Sequence, residues 1–115
     1  MQIQRHGTTR RYSDSVVYNG TVYLVEVPSN LDDDITAQTA NLLASLEQLL
    51  SQAGSEKSCL LMVTIYLADM ADYDAMNAVW DNWLAEGSAP SRACVQARLA
   101  NRKYSVEMAL TAAVC

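Results

Sequence analysis

The chain has 115 residues, which is enough for one domain with its own hydrophobic core and too few for two comfortable ones. Half of the residues are hydrophobic and 18% are charged, as in ordinary globular proteins. A net charge of −5 argues against a nucleic-acid partner, and the chain lacks the run of about 18 apolar residues that a membrane span requires. We therefore expect a single domain over residues 1–115 that binds neither nucleic acid nor membrane.

The N-terminal segment and the cysteines bear on the cellular compartment. Residues 1–10 are polar with basic side chains and lack the apolar stretch of a signal peptide, so a cytoplasmic protein is expected. Cys59, Cys94 and Cys115 are odd in number and have no CxxC spacing, which predicts three reduced thiols. His6 has no second histidine at ligand spacing, so no structural zinc site is expected.

The first structural signal along the chain is a β-hairpin. Strands are predicted at about 16–18 and 21–27, on either side of Asn19-Gly20. Both residues of this dipeptide accept the positive φ angles of a type I′ turn. Pro28 ends the second strand because it cannot donate a ladder hydrogen bond.

A long helix is predicted next, over about 34–53. Apolar residues recur there at three- and four-residue spacing, while Gln38 is placed with the polar residues of the opposite face. The acidic triplet 32–34 favours the N-terminal end of the helix dipole, and Gly54 is typical of a helix C-terminus.

The middle of the chain predicts a buried strand and a second helix. Residues 59–68 are almost continuously apolar, as in a central strand covered on both faces. The second helix is predicted over about 71–85, and Gly87 closes it. We interpret Trp80 and Trp83 as core residues rather than as a base-stacking platform, because the surrounding charge is acidic.

The last part of the chain predicts a second hairpin, with strands at about 91–98 and 104–114. Side chains alternate between the faces of a strand, so Arg92 and Cys94 share one face. A tight loop places Cys94 opposite Glu107, in diagonal reach of Arg92. An arginine, a thiol and a carboxylate on one side of one sheet are the best chemical candidates in the chain. Their residue types alone fit a structural ion pair as well as a functional site.

The order of elements is ββαβαββ, which predicts an α+β domain with two helices packed on one face of a mixed β-sheet. The other face then carries Thr64 and Tyr66 beside apolar neighbours. It also carries the side chains that share a face of the 91–98 strand: Arg92, Cys94, Gln96 and Arg98. A sheet of this size rarely leaves such a surface to water, so oligomerisation through it is expected.

Several segments carry a family pattern: Tyr12-Ser13, Gln38-Thr39, Val63–Tyr73, Met76–Trp80, Ala89–Val95 and Val106–Met108. Together they resemble the YjgF/RidA family of reactive-intermediate deaminases. The resemblance extends from about Tyr12 to the end without large gaps. Its C-terminal motif is specific, whereas the helix matches alone are weak.

The resemblance implies a chorismate-mutase-like fold assembled as a homotrimer, with ligand sites between subunits. Members of the family hydrolyse 2-imino (enamine) acids, as 2-iminobutanoate/2-iminopropanoate deaminases, to 2-oxo acids and ammonia. These imines are products of pyridoxal-phosphate-dependent dehydratases, and no metal or organic cofactor is needed. The implied partners are a small-molecule carboxylate substrate and further copies of the chain.

The same resemblance assigns roles to individual residues. The family's carboxylate-binding arginine falls on Arg92, its water-orienting glutamate on Glu107, its site cysteine on Cys94 and its site tyrosine on Tyr12. A guanidinium holds a carboxylate bidentately, and a carboxylate orients water for attack on an imine carbon. We interpret Cys94 as lining the site rather than as a nucleophile, because no histidine lies near it to form the thiolate.

The chain departs from the family pattern at Leu24 and Val25, which take the positions of a Ser-Gly pair that borders the ligand. Arg10 and Arg11 replace proline and glycine before Tyr12. A valine in place of glycine narrows the pocket and removes backbone freedom, so an altered substrate preference is expected. The alternative is a non-catalytic, regulatory trimer that binds small carboxylates. The ribonuclease or translation-inhibitor role attached to some members is disfavoured by the acidic net charge.

Overall fold

One mixed sheet of six strands organises residues 2–115, the part of the chain that the computed structural model describes. The helices and strands, in chain order, are β1 (Gln4–His6), β2 (Ser15–Tyr18), β3 (Thr21–Glu26), α1 (Ile35–Gln52), β4 (Leu60–Leu67), α2 (Tyr73–Trp83), β5 (Ser91–Gln96) and β6 (Val106–Ala113). The strands lie in the order β1-β2-β3-β6-β4-β5, and only the pair β4/β5 is parallel. The prediction of an α+β fold, with two helices on a mixed sheet, is confirmed.

The hydrophobic core lies between the two helices and one face of the sheet. Alternate residues of the central strands point into it, because successive side chains of a strand face opposite sides. The fully buried core side chains include Val63, Ile65, Leu67, Val106 and Met108 of the sheet, Leu42, Leu43, Leu46 and Leu50 of α1, and Met76 of α2. Each large side chain buried in this way contributes about 1.5–3 kcal/mol, so this layer is the main source of stability.

The first hairpin and the long helix form as predicted. Asn19 and Gly20 take positive φ angles of 51° and 78° in the turn between β2 and β3. β1, which was not predicted, extends the sheet beyond β2. The carboxylate of Asp34 caps α1 by accepting a 2.9 Å hydrogen bond from the backbone N–H of Ala37. α2 is shorter than predicted, because Met70–Asp72 form a separate 3₁₀ turn before it.

Gln38 was predicted on the polar face of α1, and this assignment is wrong. Its side chain is only 1% exposed. Its Nε2 donates to the backbone oxygens of Leu31, Asp33 and Lys103, and its Oε1 accepts from the backbone N–H of Ser105 at 2.8 Å. A buried amide is stable here because both of its polar ends have partners.

The predicted second hairpin is also wrong. β5 pairs in parallel with β4 at the edge of the sheet, and β6 lies on the other side of β4, antiparallel to it and to β3. The order β4, α2, β5 is a strand–helix–strand unit, and a helical crossover is the usual way to join two parallel strands. The almost wholly apolar β4 therefore gains a neighbour on each side, which the hairpin did not provide.

The cysteines differ from the prediction of three reduced thiols. Cys59 and Cys115 form a disulfide whose Cα atoms are 6.7 Å apart, although 56 residues separate them in the chain. They meet because β4 and β6 are adjacent antiparallel strands, so the start of one lies beside the end of the other. Cys94 is a free thiol, as predicted. Within residues 2–115, neither helix has the length and apolar character needed to cross a membrane.

Candidate functional site at the edge strand

Arg92 lies on the edge strand β5 and points towards α2. It pairs with Val63 of β4, whose side chain is in the core, so Arg92 is on the helix-covered side of the sheet and not on the opposite face as predicted. Its Nη1 donates a 2.7 Å hydrogen bond to Oδ1 of Asn77, and its Nη2 donates to the hydroxyl of Tyr73 at 3.2 Å. Two side chains of one helix therefore fix the plane of the guanidinium.

Two aromatic rings flank the same guanidinium. The central carbon of Arg92 lies 5.7 Å from the centre of the Trp80 ring and 5.9 Å from that of Tyr73, which is within the range of cation–π attraction. Arg92 takes part in no salt bridge among residues 2–115. A guanidinium has five N–H donors, so donors remain for an external acceptor. This geometry suits a planar anion such as a carboxylate.

Cys94 lies beside Arg92 on the same face of β5. It pairs with Ile65 of β4 and is packed, half-buried, against the core. Burial raises the pKa of its thiol above the ordinary value of 9.0, and the opposing effect of the Arg92 charge is smaller. The thiol is therefore neutral near pH 7, which agrees with a lining role and argues against a thiolate nucleophile.

Glu107 is not brought together with Arg92 and Cys94 within one chain. It pairs with Tyr66 across β4 and β6, and its sequence neighbours Val106 and Met108 are both buried under the helices. Its own side chain therefore lies on the helix-free face of the sheet. The prediction that all three groups share one side of one sheet is wrong, because it depended on the hairpin that does not form.

The other predicted site residues, Tyr12, Leu24 and Val25, do not all lie on one face of the sheet either. The side chain of Tyr12 is 63% exposed in the loop between β1 and β2. Val25 is 51% exposed on the helix-free face, whereas Leu24 is only 4% exposed and points to the helices. Val25 thus shares a face with Glu107, and Leu24 reaches that face only through its backbone.

The helix-free face contains a shallow depression of about 420 Å³. Residues from β2, β3, β4 and β6, and one from the loop before β2, line it: Ser13, Val16, Tyr23, Leu24, Val25, Met62, Thr64, Ala109, Leu110 and Thr111. Neither Arg92 nor Glu107 is among them. The depression is a mainly apolar surface, and the polar chemistry of the chain lies elsewhere.

Tyr73 and Asn77 were not predicted as site residues from the sequence. With Trp80 they stand at positions i, i+4 and i+7 of α2, a spacing that puts all three on one face of a helix. That spacing is visible in the sequence. What they face depends on the parallel pairing of β5 with β4, which local patterns did not show.

Comparison with known proteins identifies the family. The sequence model of the family described as Endoribonuclease L-PSP matches residues 2–114. The chain is 49% identical over 114 residues to the RutC family protein YoaB of Escherichia coli, covering 99% of this chain and all of YoaB. The chain belongs to the YjgF/RutC family. The resemblance noted in the sequence is thereby confirmed.

The YjgF/RutC family also accounts for the fold. A crystal structure of a YjgF family member from Neisseria meningitidis superposes with a TM-score of 0.95 at 46% identity, covering 98% of this chain and 95% of the other. The 3-aminoacrylate deaminase RutC of Acinetobacter baylyi is 31% identical over 104 residues, which cover 89% of this chain and 82% of RutC. The family therefore includes a protein named for a deaminase activity, while the more similar YoaB is named by family only.

Proposed function

We propose that this protein hydrolyses reactive 2-imino or enamine acids to 2-oxo acids and ammonia in the cytoplasm. The observation that carries the proposal is the state of Arg92: its guanidinium is held by Asn77 and Tyr73 and has no carboxylate partner among residues 2–115. A fixed arginine with free donors suits a substrate carboxylate. The deaminase named in the same family supports the reaction class.

The proposed reaction adds water to a carbon–nitrogen double bond. Arg92 binds the carboxylate, and Glu107 orients a water molecule for attack on the imine carbon. Collapse of the resulting amino alcohol forms the carbon–oxygen double bond and expels the nitrogen as ammonia. The substrate is already an electrophile, so positioning and modest proton transfer suffice. Cys94, Tyr12, Val25 and the backbone of Leu24 line the site in this proposal.

In this proposal, Arg92 and Glu107 of different chains complete one site. The two side chains lie on opposite faces of the sheet, with β4 between their strands. We therefore propose a homotrimer in which the edge strand of one subunit meets the helix-free face of the next. The exposed apolar residues of that face support such an arrangement, because a contiguous apolar surface favours association.

The description of the family model names an endoribonuclease, but the charge of this chain disfavours RNA as its substrate. The chain has 13 acidic against 8 basic residues and a net charge of −5. Binding to a phosphate backbone depends on clustered lysine and arginine side chains. A small carboxylate needs only the single fixed guanidinium.

A coupled assay tests the proposal. An amino-acid oxidase generates the 2-imino acid in situ, and formation of the 2-oxo acid is followed with and without the protein. Arg92→Ala should lower kcat/KM about 100-fold, the equivalent of roughly 3 kcal/mol, because the charged group that binds the substrate carboxylate is lost. The matched control is Arg98→Ala, which removes an exposed arginine just beyond the same strand and should retain full activity. Equal activity of the two variants would show that the role assigned to Arg92 is wrong.

Wild type and Arg92→Ala also distinguish catalysis from binding without turnover. Val25, bulkier than the glycine of the family pattern, favours the alternative of a non-catalytic carboxylate-binding trimer. That alternative predicts thermal stabilisation by 2-oxo acids in the wild type, none in Arg92→Ala, and no acceleration of imine hydrolysis by either.

A further inference from the structure

Glu56, Cys59 and Cys115 form a cluster where β4 begins and β6 ends, and none of them belongs to the proposed deaminase site. One carboxylate oxygen and the two sulfurs lie within 4.8 Å of one another. Glu56 and Cys115 are exposed and Cys59 is half-buried, so solvent and ions reach all three. Two thiolates and a carboxylate are ligands that favour a thiophilic divalent cation such as Zn²⁺ over Mg²⁺ or Ca²⁺.

Contacts other than the disulfide hold this cluster together. The backbone N–H of Cys115 donates to the oxygen of Gly54 at 3.0 Å, and Oγ of Ser55 donates to the oxygen of Ala113 at 2.6 Å. The adjoining residues of β4 and β6 are paired in the sheet. Cys59 and Cys115 therefore remain neighbours when the bond between their sulfurs is broken.

The carboxylate of Glu56 is also held in place. Oγ of Ser58 donates a short hydrogen bond to its Oε1. The backbone is fixed as well, because the N–H of Cys59 donates to the backbone carbonyl oxygen of Glu56 at 2.9 Å in the same 3₁₀ turn. Hydrogen bonds of this kind orient a ligand side chain before a metal binds. The nearby Lys57 is engaged elsewhere, pairing with Glu47 at 3.4 Å.

We propose that Glu56, Cys59 and Cys115 form a redox-gated binding site for Zn²⁺ or a similar thiophilic cation. The disulfide is the closed state, since its sulfurs have no thiolate charge to offer. A dithiol reductant supplies two electrons and two protons, opens the bond to two thiols and becomes a disulfide itself. The cation then displaces the two thiol protons and bonds to both sulfurs and one oxygen of Glu56, with water in the fourth position.

The geometric change between the two states is small. Two zinc–sulfur bonds of about 2.3 Å at a tetrahedral angle place the sulfurs about 3.8 Å apart. Rotation about the side-chain bonds of the exposed Cys115 is enough to reach that separation. A reducing compartment keeps such a pair as thiols and thus keeps the site open.

Zinc titration of the reduced protein tests the proposal. Cys94→Ser serves as the background, because it removes the third thiol of the chain. Under anaerobic conditions, calorimetry should show one Zn²⁺ per chain, and adding Cys59→Ser or Cys115→Ser should weaken binding at least about tenfold. Glu56→Gln should weaken it as well, whereas the exposed control Glu86→Gln should not. Far-ultraviolet circular dichroism checks that each variant is folded.

Three results of the zinc titration would contradict the proposal. Zinc affinity that is the same with and without Cys59→Ser rules the site out. Affinity that is the same for the reduced and oxidised Cys94→Ser proteins rules out the redox gate. An unchanged affinity of Glu56→Gln removes the carboxylate from the site. None of these measurements uses the deaminase reaction, so the zinc site is tested independently of the proposed deaminase activity.

Discussion

Arg92 is held in one orientation before any ligand arrives. Tyr73 and Asn77 accept hydrogen bonds from its guanidinium, and Trp80 lies against it. A free arginine side chain loses about 2 kcal/mol of rotamer entropy when it is fixed. Because folding has already fixed this one, a carboxylate that binds to it meets a smaller entropic cost. The helix face is thus part of the proposed binding site, although it need not touch the ligand.

Glu26 permits a pH-dependent prediction at a single residue. Burial against α1 raises the pKa of its carboxyl above the ordinary value of 4.5; the hydrogen bond from Val27 opposes this shift, and the charge of Asp14 adds to it. The folded state then binds the proton more tightly than the unfolded state does. The stability from this group is therefore present below pH 4.5 and is lost as pH rises through the raised pKa.

Glu26→Gln should therefore raise the melting temperature at pH 7. The amide retains an oxygen that accepts the 3.0 Å hydrogen bond from the backbone N–H of Val27, but it carries no charge to desolvate. Below about pH 4 the wild-type carboxyl is protonated, and the difference between the two proteins should disappear. Thermal unfolding followed at both pH values checks this, and a variant less stable than wild type at pH 7 contradicts it.

At the scale of elements, Gln38 joins α1 to the segment between β5 and β6. Its amide contacts the backbone of Lys103 and Ser105, more than 60 residues further along the chain, at 3.0 and 2.8 Å. This segment contains no helix or strand of its own, so its backbone groups need partners from elsewhere. The buried amide supplies them and thereby fixes the point at which β6 enters the sheet.

Gln38→Leu should destabilise the protein by about 2–4 kcal/mol. Leucine fills the space but leaves the part-buried N–H of Ser105 and neighbouring carbonyl groups without partners, each of which costs about 1–3 kcal/mol. Gln48→Leu is the control, because it makes the same chemical change at an exposed position of the same helix and should alter stability by less than about 0.5 kcal/mol. Urea unfolding at one protein concentration compares the two, and equal midpoints would falsify the role given to Gln38.

At the scale of the whole molecule, the sheet has one face covered by helices and one without them. The second face carries Tyr23, Val25 and Met62, which are 48%, 51% and 51% exposed, around the apolar depression. Contiguous apolar surface of this kind is typical of an interface between chains. The proposed trimer buries it and brings Glu107 of one subunit towards Arg92 of another.

Met62→Glu should therefore separate the subunits. A carboxylate in the middle of the apolar face must be desolvated in any assembly through that face. Sedimentation equilibrium should give about 38 kDa for the wild type, three times the 12.6 kDa of one chain, and a mass near that of a single chain for the variant. Ala44→Glu is the control, since it adds the same charge at an exposed position of α1, on the other side of the sheet. A trimeric Met62→Glu protein would show that the interface lies elsewhere.

Local patterns in the sequence predicted every helix and strand except β1, and its motifs predicted the family. The Asn19-Gly20 turn, the boundaries of α1 and the apolar β4 follow from turn chemistry, helical periodicity and residue type, all of which act over a few neighbouring residues. The motifs also predicted which residues belong to the proposed site, above all Arg92 and Glu107.

The tertiary structure alone decided which elements are neighbours and which side chains meet. β6 lies between β3 and β4 rather than beside β5, so Arg92 and Glu107 fall on opposite faces, and Cys59 lies against Cys115. The burial of Gln38 likewise depends on a segment more than 60 residues away. Strand pairing depends on the total burial that each arrangement achieves across the sheet, and alternation within one strand is the same whichever neighbour it has.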